Sequence, residues 1–519
     1  MTKRDDLDSE PATMESLEPR RLLAGIGVDP AIPAPLLEVT SSPGEEPGGD
    51  FAAGGGAAWS GAFGLGAAVR EAFGLAAARY SDYVLAHTAE QFADYTAADG
   101  AWVTGSANTW VAGFTPGVLW ELDRYADREG GGGRAWSMRA AQWSRGLMNG
   151  PVFMEDVGFR MLSGLEPWFA ELNAAGRQSD AMSVALRMGQ EALEKLFGRW
   201  NETVGAFETT WRSSSNPAAD FGTIIDQTYD LSLLQWVADY ADPGVADPAL
   251  VRQRVLSHAQ RVADHVVRDD GSSYHWGYFN STTGDFVQGE TFQGYDDEST
   301  WARGQAWGIL GFAEFARRAA GPGEAADPQA VTLGRETASR MADWFLGHLP
   351  RDLVPFWDFD DPAIPQAPRD SSAAAIAASG LFTLAALPGL SPQQVETYRS
   401  AAEGILMILA TSYLSTGRHE ASVLVHGSGN VPAGGAVDRG LIYGDYFFLR
   451  AANQWLDLHG AGVSPGRTRT AAPGVRGWAV TSQPSASPPL QLSVFSLFFE
   501  DDSDVDLERV VPGRGVPFS

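Results

Sequence analysis

Beyond residue 80, apolar and polar positions fall into two kinds of helical segment. The first kind carries aromatic and small residues on most of its positions. These segments begin near Trp110 (WVAGFTPGVLWEL), Asp156 (DVGFRMLSGLEPWF), Asp226 (DQTYDLSLLQWVADY), Ser299 (STWARGQAWGILGF), Ser371 (SSAAAIAASGLFTLAAL) and Leu441 (LIYGDYFFLRAANQWL). Each follows a loop containing Gly, Asp or Ser. The second kind is amphipathic, with Arg, Glu and Gln at helical spacing, as an outer layer requires. It covers residues 81–95, 134–148, 181–199, 249–267, 329–349 and 392–413. From the second segment onward the inner kind recurs about every 70 residues, a period typical of repeated supersecondary units.

Six inner helices alternating with six outer ones predict an all-α fold, an (α/α)6 barrel of helical hairpins over residues 69–460. The Ala- and Gly-rich inner faces allow close packing around an axis, and the loops entering the inner helices meet at one end to line a cavity. An α-solenoid is the structural alternative, with the same aromatics in a core rather than around a pocket. Residues 269–287, DDGSSYHWGYFNSTTGDFV, read as a hairpin flap near the cavity mouth.

The two ends differ from this pattern. Residues 1–68 are charged and Pro-rich, then Gly- and Ala-rich, and read as a disordered tail and linker. Within them MESLEPRRLLA, residues 14–24, resembles the LEPRxLL tag of planctomycete proteins, which implies export to the periplasm or outside the cell, with a featureless tail as the alternative. Residues 461–519 read as a largely disordered tail holding one apolar patch, LQLSVFSLFF.

A formal net charge of −28 argues against nucleic acid or an anionic membrane as a partner, and requires a site for an anionic sugar to be locally basic. The chain has no Cys, which excludes disulfides, thiolate nucleophiles and Cys-ligated metals, and its eight His lack HExxH-type spacing. A His-based metal site is therefore not expected. No apolar run is long enough for a transmembrane helix. The 17 Trp residues lean toward carbohydrate binding.

Chemistry concentrates at the mouths of the inner helices. In residues 293–315, QGYDDESTWARGQAWGILGFAEF, Ser299 or Thr300 is the expected N-cap, and Trp301, Arg303, Gln305 and Trp307 fall in the first two turns. Arg303 and Trp307 are four apart and share a face, which makes a platform for a planar anionic ligand such as a sugar acid. The plainer reading is a buried aromatic layer with Arg303 paired to Asp296 or Asp297. Asp156 and Asp226 stand at loop-to-helix junctions in apolar surroundings, which favour the neutral acid and suit proton donation. Simple helix capping is the alternative role. Glu155 and Asp230 are neighbouring carboxylates of lower rank. His275, on the flap, offers positive charge or hydrogen bonds to a ligand carboxylate, unless it is merely solvated. Gln293 lies just ahead of the helix. Trp110 offers a face for a sugar ring, or ordinary core packing.

Taken together, these stretches resemble glycoside hydrolase family 88, the unsaturated glucuronyl hydrolases. WARGQAW and IYGDY are its specific signals, with DVGF, IID, DGSSYH, VPFWDF and residues 370–381 in family order. The resemblance implies an (α/α)6 barrel without cofactor. The implied substrate is an oligosaccharide left by a polysaccharide lyase, bearing a 4,5-unsaturated uronic acid at its non-reducing end. It further implies hydration of that enol ether, with Asp226 as general acid/base and Asp156 assisting, while Trp110, His275, Gln293, Arg303 and Trp307 match positions that bind the unsaturated sugar. Two departures flank the carboxylates. Many relatives have His at the position of Glu155, and an Asn-Met-Met-Asn-like run where this chain has Gln227, Thr228, Tyr229 and Asp230. An unsaturated rhamnogalacturonyl hydrolase, another (α/α)6 sugar enzyme, and a non-catalytic carbohydrate-binding relative are the alternatives.

Overall fold

The computed structural model describes residues 62–130, 134–150, 155–209, 214–240, 246–321 and 326–460. The export-tag resemblance at residues 14–24 and the patch at 490–499 lie outside them. Helix α1 (Ala62–Ala86) opens the described chain and is followed by an antiparallel pair, β1 (Phe92–Thr96) and β2 (Trp102–Gly105). A 3-10 turn, Trp110–Gly113, leads into α2 (Phe114–Arg128), and α3 (Arg134–Leu147) returns. The next inner segment is broken into α4 (Val157–Arg160), a π turn (Met161–Leu165) and α5 (Glu166–Ala174). Pro167 enters α5 in its first turn, and the Gly164 carbonyl of the π turn accepts from Ser144 Oγ on α3 at 2.6 Å.

Then come α6 (Gln178–Lys195), the short pair β3 (Trp200–Asn201) and β4 (Ala206–Phe207), β5 (Phe221–Ile224), α7 (Gln227–Tyr240) and α8 (Pro248–His265). A hairpin, β6 (Trp276–Phe279) and β7 (Phe286–Glu290), adds to β5 as a three-stranded antiparallel sheet. The chain closes with α9 (Ala302–Ala319), α10 (Pro328–His348), α11 (Ser371–Ala385), α12 (Pro392–Ser412) and α13 (Ile442–His459).

Outer helices start in a way the sequence explains. Asp247, Asp327 and Ser391 cap α8, α10 and α12 through their side chains, each followed by Pro at the first turn, and Ser391 forms a capping box with Gln394. The starts of α4, α9 and α13 lack a side-chain cap, so their polar residues are left for other work. Inner helices pack in succession: α7 on α9, α9 on α11, α11 on α13, α13 on α2, with α4 and its π turn against both α2 and α7. Phe114, Phe159, Tyr229, Trp307 and Phe447 come from α2, α4, α7, α9 and α13 and meet in one aromatic layer, with centroids 4.7 Å apart for Phe159 and Trp307 and 5.3 Å for Trp307 and Phe447. Each such ring fully buried contributes about 1.5–3 kcal/mol.

Four expectations are corrected. The helix expected at 81–95 is instead α1, beginning at Ala62 inside the stretch read as linker, while residues 92–96 pair with β2. Its burial comes from tertiary packing: Phe73 stacks on Tyr125 of α2 with centroids 3.9 Å apart. Three small sheets accompany the helices, so the all-α expectation holds for the scaffold but not for the loops. The flap at 269–287 gains a third strand, β5. Trp301, not Ser299 or Thr300, is the N-cap of α9, while Ser299 Oγ is committed to Asp358 at 2.8 Å and Thr300 Oγ1 accepts from Arg268 at 3.3 Å. Among the described residues no helix is long and apolar enough to cross a membrane.

Candidate active site

The sheet sets the geometry. Ile224 pairs with Trp276, and the Ile225 N–H donates to the His275 carbonyl at 3.0 Å. Asp226, just past β5, is thereby brought beside His275, just ahead of β6. His275 Nε2 lies 3.9 Å from Asp226 Oδ2. On its other side, Nδ1 accepts the backbone N–H groups of Phe292 (3.1 Å) and Gln293 (3.2 Å), which follow β7. A ring nitrogen that accepts twice carries no proton, so the proton of the neutral ring sits on Nε2, facing Asp226. Burial, then the nearby Arg303 charge, pushes the His275 pKa down to about 3. His275 is therefore a neutral donor. The expectation that it supplies positive charge, or is a solvated loop residue, is corrected.

Asp226 is 9% exposed, and its Oδ2 is buried without a hydrogen-bond partner. Burial raises its pKa to about 7, against the opposing pull of Arg303. Asp156 makes no capping hydrogen bond, which removes the capping role weighed for it, and it is only partly buried. Burial, then the charges of Glu155 and Asp226, hold its carboxyl well above the ordinary range. Glu155 accepts from Thr209 Oγ1. Asp230, one turn beyond Asp226, accepts the Gly158 N–H at 2.6 Å. A Cβ on residue 158 would overlap that carboxylate, so only glycine lets the Asp156 turn approach α7 this closely.

A continuous wall faces these acids. Trp110 is half-buried and lies 5.1 Å from Tyr443. The Arg303 guanidinium stands over Tyr443 at 5.3 Å and over Trp301 at 4.5 Å, and Trp301 meets His275 at 4.6 Å. Arg303 is paired with neither Asp296 nor Asp297. It bonds Asp370 at 3.0 Å, and donates to the carbonyls of Ser428 and Gly429. Gln293 Nε2 donates to the Gly429 carbonyl at 3.2 Å. Trp307 is 1% exposed and belongs to the aromatic layer, so it backs the site rather than sharing an open platform with Arg303. Gln305 is buried, bonding the carbonyls of Gly271 (2.8 Å) and Met341 (3.1 Å).

Sequence reasoning gave no role to Asp370, Asp358 or Tyr443. Asp358 accepts from Tyr295 N–H and Ser299 Oγ, both at 2.8 Å, and so anchors the loop carrying Gln293. An Asp just ahead of a helix was the available signal for Asp370, but nothing local pairs it with an arginine 67 positions away. Among the described residues no group of His, Asp and Glu is arranged to hold a metal ion.

What this arrangement offers is a buried acid raised to about 7 beside a neutral imidazole donor, with a half-buried indole on the Tyr443 side of Arg303. That suits protonation of a bound neutral group rather than attack by a charged nucleophile.

No family model matches the chain. The unsaturated glucuronyl hydrolase of Bacillus sp. strain GL1 is 31% identical over 370 residues, covering 70% of this chain and 90% of the relative. That of Formosa agariphila is 30% identical over 362 residues, covering 67% and 80%. Among solved structures, an unsaturated glucuronyl hydrolase specific for heparin matches with a TM-score of 0.65 and 25% identity, over 76% of this chain and 98% of the other.

Proposed function

The chain belongs to the unsaturated glucuronyl hydrolase family, and on that premise we propose that it removes the 4,5-unsaturated uronic acid from the non-reducing end of lyase-generated oligosaccharides by hydrating the enol ether. It is a glycoside hydrolase of this type. Asp226 gives its proton to C4 of the double bond, and positive charge develops at C5, shared with the ring oxygen. Water adds at C5 and returns a proton to the Asp226 carboxylate. The hemiketal then opens to a ketone at C5 and a hemiacetal at C1, which releases the remaining sugar chain. The net change is addition of one water.

Protonating carbon needs an undissociated acid held against one face of the alkene, and orientation supplies much of the rate. The observation that carries the reading is Asp226 Oδ2, buried and unpartnered 3.9 Å from His275 Nε2. Asp156 assists by orienting the substrate and tuning Asp226. The Trp110 face stacks on the unsaturated ring, while His275 and Gln293 offer hydrogen bonds. Arg303 contributes field more than contact, since its guanidinium is already bonded, and Trp307 keeps the floor rigid. Because the electrons come from the alkene, the carboxylate spacing of direct glycoside cleavage need not apply.

We read the scaffold as an (α/α)6 barrel, and the catalytic domain as residues 69–460 together with the earlier start of α1. The unbroken succession of inner-helix contacts supports the first reading.

The test is a panel of lyase digests followed at the ultraviolet absorbance of the conjugated double bond. The wild type is expected to bleach at least one digest, and Asp226→Asn to bind it without bleaching. Near-normal turnover by Asp226→Asn would refute the acid/base assignment, and binding without bleaching by the wild type would make the chain a carbohydrate-binding protein.

A further inference from the structure

Asp230 has both a fixed task and an unsatisfied oxygen. It is 1% exposed. Its Oδ1 holds the Gly158 N–H at 2.6 Å, while Oδ2 is buried without a hydrogen-bond partner. It lies four residues after Asp226, so the two share a face of the first turns of α7. Gly158 is two residues from Asp156, so the bond ties the Asp156 turn directly to the helix behind Asp226. The groups facing Asp230 are Glu155 and Asp156 from the α4 turn and Asp226 from its own helix. Arg303 of α9 acts on Asp226 and is itself bonded to Asp370.

We propose that Asp230 is a positioning residue that fixes Asp156 through Gly158. The contact is so close that a Cβ on residue 158 would overlap the Asp230 carboxylate, so the Asp156 turn is held against α7 while the bond is made. The inference rests on the function proposed above and adds to it one residue that acts through Asp156.

Asp230→Asn keeps an oxygen for the Gly158 N–H, whereas Asp230→Ala loses it. In the full-length chain, Asp230→Asn is expected to hold kcat within about twofold of the wild type, and Asp230→Ala to lower kcat about tenfold with KM within about twofold, from the loosened Asp156 turn. Equal kcat in the two variants, or a loss confined to KM, overturns the positioning task. Hydrogen exchange at the Gly158 amide reads the bond without substrate: protection should persist in Asp230→Asn and fall in Asp230→Ala, and equal protection in the two overturns the proposal. If the wild type bleaches no digest, the functional reading fails, and the exchange measurement still decides this one.

Discussion

Acids near the starts of α4 and α7 and acids buried deeper in the helical scaffold have opposite fates. Near the starts, Asp156, Asp226 and Asp230 are all pushed up, with Arg303 opposing the rise at Asp226. Deeper, Glu314 of α9 is 3% exposed. It accepts from Arg317 at 2.7 Å, from Arg450 and from Thr383. Burial alone would raise Glu314, yet Arg317, Arg450 and Arg318 together hold it well below the usual carboxylate range. Arg318 also grips Glu166 through both oxygens at 2.8 and 2.6 Å. Beside it lies a hollow lined by Gln235, Asp239, Arg252 and Asp327, whose Arg252 and Asp239 are paired at 2.7 Å. Similar burial gives Asp226 a pKa of about 7 at one end and holds Glu314 ionised at the other, and the difference is the number of guanidinium groups within reach. One end is arranged to hold a proton ready; the other is arranged to hold helices together.

The largest way to break this comparison is Asp226→Asn. Turnover is expected to fall by about 10²–10⁴-fold, the scale of general acid catalysis, with the melting temperature unchanged or higher. Absorbance assays and thermal melts on one preparation check both. Next is Glu314→Ala, which leaves Arg450 and Arg317 unpaired and should cost about 3–5 kcal/mol in denaturant unfolding. The kcat of the folded fraction should stay within about twofold, because the pair does no chemistry. Gly158→Ala drives a Cβ into Asp230 and should cost about 1–3 kcal/mol while lowering kcat, since the Asp156 turn must move.

The smallest effect is in the pH dependence of stability, where the two ends have opposite sign. Asp226 is raised to about 7, so what it contributes is fully present below about pH 4 and is lost as pH rises through 7. Glu314 is depressed, so its contribution is present above the ordinary carboxyl pKa and is lost as pH falls below it. Melts across pH should show the decline toward neutrality flattened in Asp226→Asn, and the acid-side decline flattened in Glu314→Gln.

Much of the scaffold was legible in the sequence because periodicity is local. The six small-and-aromatic segments and five of the six amphipathic ones sit where helices are found. The start of α1 was missed because residues 62–68 are so rich in Ala and Gly that they resemble a linker, and only contact with α2 and α12 makes the helix a wall. At the site, the spacing of Asp226 and Asp230 is local and readable. That His275 faces Asp226 depends on cross-strand register between Ile224 and Trp276, more than 50 positions apart. The partner of Arg303 was misjudged for the same reason, since nearby Asp296 and Asp297 are the local choice and Asp370 the structural one. Whether an indole is open or enclosed, as for Trp110 and Trp307, depends on neighbours from several helices and has no sequence signature.

The most direct test of a proton held ready on Asp226 is the pH dependence of kcat for the wild type on an unsaturated disaccharide. The arrangement around Asp226 predicts a rate that falls as pH rises through about 7, as the acid form is lost. A rate that stays level or climbs to about pH 9 would contradict it, because a group already ionised there cannot be the proton donor.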